Sequence, residues 1–441
     1  MHDKSISGFS KKSKEQKAAW LATHFLEDSV GESVQTLTQF WLRDRSLQET
    51  LDGFSENTIS NFPMPYGIAP NFLINGQMYA VPMVTEESSV VAAAASAAKF
   101  WLPLGGFHTK VVGTVKLGQI HFKWKGTEER WKTLFPALCE KLILEATHLS
   151  ANMAKRGGGI SAIKYFRNPA ISEDYYQIRV RFETCDSMGA NFINSILEQF
   201  AATLKQWANT APELKETERS LDIIMAILSN YTPECVVKTW VSCSLKAMEA
   251  TLKTRDDVRH FARKFETAVH VAIHDPYRAV THNKGIFNGI DSVVLATGND
   301  FRAIEACGHA YAARDGQYRS LSKCSIENDQ FYFELEMPLA IGTVGGLTNL
   351  HPLAKLSLDI LQNPTAEELM QVIAATGLAQ NFGALRSLVT TGIQAGHMKM
   401  HLQNILNHLG ANTEQKKEAA TYFANKPVSF SSVRQFLGIE E

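Results

Sequence analysis

An excess of charge of one sign is absent from this chain: its 441 residues carry 44 basic and 45 acidic side chains, a formal net charge of -1. No global field therefore recruits nucleic acid or an anionic membrane as a partner. Long apolar runs are missing too. The longest small-apolar stretch, VVAAAASAA, falls far short of the roughly 20 residues that cross a bilayer, and the amino-terminal MHDKSISGFSKKSKEQK lacks the apolar centre of a signal peptide. A soluble, cytoplasmic protein is expected. The six cysteines (Cys139, Cys185, Cys235, Cys243, Cys307 and Cys324) contain no CxxC pair, which argues against a disulfide framework and for reduced thiols. No GxGxxG follows a strand pattern, so any nucleotide site is not of the standard Rossmann kind.

What is present is material for a large core: 45% of the residues are hydrophobic, and the length suits two or three domains. Residues 11–60 have helical spacing, including KEQKAAWLATHF. NFPMPYGIAPNFLINGQMYAVPM then reads as strands and turns, with Asn75-Gly76 as a hairpin signal. SSVVAAAASAAKF is an alanine-rich helix. From 109 to 229 the periodicity switches in order: a strand over TKVVGTVKLGQIHFKW, a helix over WKTLFPALCEKLILEATHL, strands over AIKYF and YYQIRVRFETC, a helix over NFINSILEQFAATLKQWA, and a last strand in RSLDIIMAILS. That order, βαββαβ, is the split βαβ unit of ferredoxin-like domains. The expected class is therefore α+β: a large mixed α/β domain (1–108 and 230–390) interrupted by the ferredoxin-like unit (109–229), with a helical C-terminal segment (391–441).

Several stretches carry chemistry, each beside a plainer alternative. DSMGAN at 186–191 joins a strand to a helix. It is either an ordinary Asp N-cap or a helix start whose free N-H groups and dipole receive a pyrophosphate. KRGGGI at 155–160 is a flexible turn or a phosphate-approach loop. Glu86 and Glu87 stand before an apolar helix, either as surface dipole complements or, if enclosed by VVAAAAS, as a carboxyl raised in pKa and able to donate a proton. THNKGIFNGIDSVVLATGND places Lys284 in a glycine-flanked loop, with Asp300 as a possible counter-ion. Lys284 is then a surface lysine, or a cation held to stabilise an oxygen that turns negative during reaction. His397 and His401 lie one helical turn apart with His408 beyond; they admit zinc binding, without HExxH or a clear third ligand, or proton donation from a mobile segment.

Together and in order these stretches resemble one family. ENTIS at 56, PNFLINGQMYAVPMVTEESSVVAAA at 70, DSMGAN at 186, DPYRAVTHNKGIFNGID at 275, ATGND at 296, GTVGGLTNLHPLA at 342, GLAQNFGALRSL at 377 and GIQAGHM at 392 are similar to soluble bacterial class II 3-hydroxy-3-methylglutaryl-coenzyme A (HMG-CoA) reductases. The resemblance implies a reversible NAD(P)H-dependent reduction of HMG-CoA to mevalonate and coenzyme A. It implies a homodimer, or a higher oligomer built on it, with active sites at the subunit interface, and a cofactor-binding small domain and closing C-terminal flap. It assigns catalysis to Lys284, Asp300, Glu87 and His397. Arg278, Ser89, Glu56, Asn288 and Asn381 become substrate contacts. Asp186, Met188, Gly189, Ala190, Asn191, Gly158 and Gly159 become cofactor contacts, with no metal. Where some NADH-using relatives have an aspartate, this chain has Ala162; with Lys164 and Arg167 nearby, NADPH is expected over NADH. A catalytically silent coenzyme A ester binding protein of the same fold is the rival reading, and a zinc enzyme using His397 and His401 a second.

Overall fold

The computed structural model describes residues 4–26, 30–252, 257–390, 402–424 and 426–439. The amino-terminal helices α1 (Lys14–Phe25), α2 (Val30–Gln39) and α3 (Arg45–Asp52) lead into the hairpin β1 (Tyr66–Ile74) and β2 (Gln77–Val84). Asn75 (φ 49) and Gly76 (φ 86) form its two-residue turn, both in the left-handed region that a type I′ turn demands and that Asn-Gly tolerates. The alanine-rich segment is α4 (Val90–Trp101), whose buried Ala94, Ala97 and Ala98 bring it close to its neighbours.

One antiparallel sheet, in the order β3-β8-β10-β9, comprises β3 (His108–Val111), β8 (Val236–Ser244), β9 (Ser322–Glu327) and β10 (Gln330–Pro338). Around it pack α9 (Val258–His274), α10 (Pro276–Ala296), α11 (Phe301–Ala312) and α14 (Ala366–Val389). The core they share contains Trp101, Phe265, Phe331, Phe333 and Phe382. A second antiparallel sheet, β5-β6-β4-β7, is built from β4 (Lys116–Trp124), β5 (Gly159–Arg167), β6 (Tyr175–Glu183) and β7 (Leu221–Ser229). The helices α5 (Glu128–Glu145) and α7 (Ala190–Thr210) cover one of its faces over a core rich in Trp124, Trp131, Tyr176 and Phe122. The carboxy-terminal helices, among them Thr413–Tyr422 and Phe430–Phe436, gather around Leu406, Ala419 and Val433 as a third small core.

Two expectations change. The single strand over TKVVGTVKLGQIHFKW is two: β3 pairs with β8 in the first sheet, and β4 pairs with β6 and β7 in the second. The chain crosses at Gly113, where a Cβ would lie 2.5 Å from the carbonyl oxygen of Glu234 on the returning strand. The two crossings run side by side, and strand alternation simply continues through both sheets. Nor is Lys284 in a loop. DPYRAVTHNKGIFNGIDSVVLA is α10, with the Asp275 side chain accepting from Tyr277 N and Pro276 in its first turn, a start signal as good as any in the chain.

Candidate active site

The position of α10 follows from its glycines and its buried polar residues. A Cβ on Gly289 would meet Gln380 Cβ and the Thr376 carbonyl at 2.8 Å, and one on Gly377 would meet Ile290 Cγ1 at 2.7 Å. Only glycine at both positions lets α10 and α14 cross this closely. Of the THNKG stretch, Asn283 is fully buried: its side chain donates to Arg319 O at 2.8 Å and accepts from Leu321 N at 3.0 Å. His282 Nε2 lies 2.7 Å from Ser322 Oγ, which in turn donates to Asn381 Oδ1 at 2.8 Å. Desolvation, with the nearby Arg278 charge second, pushes the His282 pKa down to about 3, so the ring is a neutral anchor. These contacts fix the helix; the next residue, Lys284, faces out.

It faces a cleft of about 390 Å³ between α4, α10 and α14, lined by Glu87, Ser89, Arg278, Lys284, Asn288 and Asn381 together with Ser88, Thr281, Gly285 and Gln380. Positions 278, 281, 284, 285 and 288 share one face of α10 by the three-and-four spacing of a helix. Lys284 Nζ donates to Glu87 Oε2 at 2.6 Å, and Asn288 Nδ2 donates to the same oxygen at 3.3 Å. The side chains of Lys284 and Glu87 are 58% and 38% exposed, so this is an open ion pair that a ligand can enter. Glu87 is thus held by an ammonium and an amide; of the α4 alanines, Ala94, Ala97 and Ala98 are buried in the core while Ala93 lines the cleft. Arg278 has no hydrogen bond or ion pair among the described residues, and burial pushes its pKa below the usual guanidinium value. A half-buried arginine without an anion suits a carboxylate ligand. Ser89 caps α4 in the left-handed region (φ 75) without a side-chain cap bond, a strained serine at the mouth of the cleft.

Asp300 does not join Lys284 in this chain. About 18 Å of helix separates Lys284 from Ala296, and Asp300 follows beyond the C-terminus of α10, where it accepts from Arg302 N (3.1 Å) and Ala303 N (3.2 Å) as the N-cap of α11. A loop could have folded back; a helix cannot. Glu56 is exposed and lies outside the cleft. His397 and His401 fall outside the described residues. His408 stacks edge-on against Phe430, 5.6 Å between ring centroids, and no group of His, Cys, Asp or Glu suited to a metal occurs among the described residues.

The DSMGAN stretch is the turn between β6 and α7. Its N-cap is Gly189 (φ 88), not Asp186. Asp186 Oδ1 instead accepts from Ala366 N at 2.7 Å in the first turn of α14, and its carbonyl accepts from Thr343 N at 2.8 Å. Gly342 permits this contact, since a Cβ there would fall 2.3 Å from Met188 N; Gly342 N in turn donates to Asn299 Oδ1 at 2.9 Å. ATGND, GTVGG and DSMGAN thereby form one clasp between the sheets. Behind the turn, the 4% exposed Lys116 donates to Thr184 Oγ1 (2.7 Å) and Ser187 O (3.3 Å), pinning the backbone before Met188. Gly158 and Gly159 enter β5 beside it, Gly159 pairing with Glu183. Gly157 and Gly159 are open to 4 Å around a would-be Cβ, so a ligand can approach their backbone. Asn191 is exposed on the first turn of α7, next to Ala190. Of the two cations expected to favour NADPH, Arg167 is engaged, 3.0 Å from Glu173 and 3.9 Å from Glu128; Lys164 is exposed and lies directly across from Arg179.

A cleft with a lysine-carboxylate pair and an arginine without a partner among the described residues, joined to a second domain with a glycine-rich helix start, defines an enzyme of acid-base and anion-stabilising chemistry. Residues 18–402 match the model of the hydroxymethylglutaryl-coenzyme A reductase family. The 3-hydroxy-3-methylglutaryl-coenzyme A reductase of Archaeoglobus fulgidus is 35% identical over 404 residues, covering 89% of this chain and 88% of that protein; a probable 3-hydroxy-3-methylglutaryl-coenzyme A reductase of Borreliella burgdorferi is 33% identical, with 88% and 87% covered. A solved 3-hydroxy-3-methylglutaryl-coenzyme A reductase structure from Streptococcus pneumoniae superposes with a TM-score of 0.71 at 34% identity, covering 98% of this chain and 99% of that one. A class II structure from the same organism, bound to NADPH in open conformations, gives 0.70 at 35% identity, over 88% of this chain and all of that one. The chain belongs to the hydroxymethylglutaryl-coenzyme A reductase family. It is accordingly an NAD(P)H-dependent oxidoreductase that reduces HMG-CoA to mevalonate and coenzyme A. Among the described residues no helix is long and apolar enough to cross a membrane.

Thr281 and Gln380 line the cleft without having been singled out in the sequence. The signal was there: they fall on the helical faces of Lys284 and Asn381 once DPYR is read as a helix start.

Proposed function

We propose that the cleft on α10 holds the hydroxymethylglutaryl end of HMG-CoA and that each chain's site is completed by a second copy. The reaction needs two hydride additions and release of a thiolate, and each hydride addition leaves negative charge on one oxygen. Lys284 stabilises that oxyanion, a role that suits an exposed ammonium held 2.6 Å from a single carboxylate oxygen. Glu87 supplies the proton that converts the oxyanion to a hydroxyl, and Asn288 orients it. Arg278 grips the substrate's free carboxylate, with Ser89 and Asn381 along the cleft wall. His397 on the C-terminal segment (391–441) protonates the departing thiolate, so that free thiolate does not add back to the aldehyde. NADPH, the nucleotide bound by the Streptococcus pneumoniae enzyme, supplies hydride. The Gly157–Gly159 backbone and the start of α7 fit its diphosphate, with Asp186, Met188, Ala190 and Asn191 shaping the turn. The second sheet with α5 and α7 is the inserted ferredoxin-like domain, a reading supported by its order β5-β6-β4-β7; its first strand belongs at 116, after the crossing.

The single observation that carries the two-copy reading is the separation of Lys284 from Asp300 along a rigid helix. In a homodimer, Asp300 of a second copy faces Lys284, and Glu56 approaches the same place. Tyr277 and Val280, 90% and 55% exposed on α10 beside Arg278, are apolar surface available for that contact. Steady-state kinetics with HMG-CoA and each nucleotide test the function. Two NADPH oxidised per HMG-CoA consumed is the expected result; unchanged nicotinamide absorbance would leave a binding protein.

A further inference from the structure

Three side chains behind the substrate cleft are shielded from water and joined in a row. His282 and Asn381 are 1% exposed, and Ser322, the first residue of β9, is fully buried. His282 Nε2 lies 2.7 Å from Ser322 Oγ, and that hydroxyl lies 2.8 Å from Asn381 Oδ1. A neutral imidazole carries one N-H and a serine one O-H, so the row has a direction. Ser322 Oγ has a second neighbour, Ser320 Oγ at 3.2 Å, but that oxygen already accepts from Ser322 N and gives its own proton to the Ser322 carbonyl at 2.8 Å. The shorter bond, to Asn381 Oδ1, takes the Ser322 proton, and His282 Nε2 therefore donates. Its Nδ1 is left as a lone pair, shielded and without a partner among the described residues. Burial keeps the ring neutral. The start of β9 cannot slide away from the row, because the Asn283 side chain holds Arg319 O at 2.8 Å and Leu321 N at 3.0 Å.

The end of the row decides what Asn381 shows to a ligand. With Oδ1 turned inward, Asn381 Nδ2 has no partner among the described residues, and the opening it borders is the cleft that also holds Lys284 and Arg278. Rotated by half a turn, the amide would set a second N-H against the Ser322 hydroxyl and would present an acceptor oxygen to any anion in the cleft. We propose that His282 and Ser322 are positioning residues, which lock the Asn381 amide so that it can only donate, to an oxygen of the hydroxymethylglutaryl group. This deepens, and rests on, the function proposed above, in which Asn381 lines the wall beside that group. Neither His282 nor Ser322 touches the reacting atoms; both act through the amide.

The test is a double-mutant cycle on kcat/KM for HMG-CoA. Asn381→Ala removes the donor and lowers kcat/KM about tenfold or more, as for a lost hydrogen bond to a charged group. Ser322→Ala frees the amide to turn and lowers kcat/KM about threefold or more. The two changes together lower it no further than Asn381→Ala alone, while KM for NADPH stays within about twofold of the parent throughout. A loss carried by KM assigns the contact to the free carboxylate, and one carried by kcat assigns it to the oxygen that turns negative; either supports the proposal. Losses that multiply, as a merely structural serine would give, overturn it, and so does a Ser322→Ala enzyme indistinguishable from the parent. Where Ser322→Ala does not fold, His282→Leu takes its place in the cycle with the same expectations, and His282→Gln, which keeps an N-H donor, stays near the parent. Should the parent enzyme oxidise no NADPH with HMG-CoA, the proposed function fails. Calorimetry of 3-hydroxy-3-methylglutarate against the same variants then decides the positioning: affinity losses that do not add support it, and additive losses, or no binding by the parent, overturn it.

Discussion

The two ends of α10 do opposite things. Near its start, Lys284 and Glu87 form an open pair in a water-accessible cleft, with Arg278 beside them lacking a partner among the described residues. Past its other end, Asn299 and Asp300 are tied down, one to Gly342 and the other to the first turn of α11. The difference teaches what a long rigid element is for. A helix that carries reactive groups near both ends cannot bring them together within one chain, but a two-fold axis can bring one end to meet the other end of a copy. The tightly packed middle, held by Gly289 and Gly377, is the ruler that keeps Lys284 and Asp300 apart.

On the proposed two-copy reading, removing Lys284 or Asp300 should have the largest effect. Lys284→Ala is expected to lower kcat by about 10²–10³, the range for loss of one oxyanion-stabilising donor, and Asp300→Ala to lower it comparably, with both variants folding normally by circular dichroism. A smaller effect is expected at the substrate grip. Arg278→Ala should raise KM for HMG-CoA by roughly 10–100-fold, as for loss of a charged hydrogen bond, with KM for NADPH unmoved; equal rises for both substrates would place Arg278 elsewhere in the reaction.

The glycines separate ruler from cleft. Gly289→Ala inserts a methyl where 2.8 Å is available and should cost about 1–3 kcal/mol in denaturant unfolding. Gly285→Ala, with nothing within 4 Å, should keep or slightly raise stability. If the two behave alike, the crossing is not what positions the helix.

The smallest effects are in pH dependence, and they have opposite signs at the two ends. Desolvation holds the folded-state pKa of His282 at about 3, below its unfolded 6.5; its contribution is present above pH 6.5 and is lost as pH falls towards 3. Burial first, then the Glu305 charge, pushes Asp291 up to about 8. Its contribution is present below the unfolded 3.8 and is lost as pH rises through 8. Asp291→Asn should therefore flatten the alkaline arm of a stability-pH curve, and His282→Gln the acid arm; the reverse assignment would contradict the environments described.

Much of this was legible in the sequence. Asn-Gly marked the hairpin, the alanines marked α4, and six residues named for the cleft, from Glu87 to Asn381, do line it. What was illegible has physical causes. Glycines at 285 and 289 suggested a loop, because glycine weakens isolated helices; here one serves helix crossing and the other leaves space for a ligand, demands visible only once α14 is in place. The strand pattern through TKVVGTVKLG gave no sign of a sheet change, since alternation is the same in both sheets. Asp186 looked like a cap because Asp often caps; the helix took Gly189, whose positive φ suits the position, and Asp186 reached another helix far along the chain.

The central claim, that Lys284 of one copy works with Asp300 of another, is tested most directly by a mixed dimer. Differently tagged Lys284→Ala and Asp300→Ala chains, co-expressed and purified through both tags, place one unaltered Lys284 opposite one unaltered Asp300. Turnover near half that of the parent enzyme, from two nearly inactive partners, is the predicted result. A mixed dimer as inactive as either variant alone would contradict the claim.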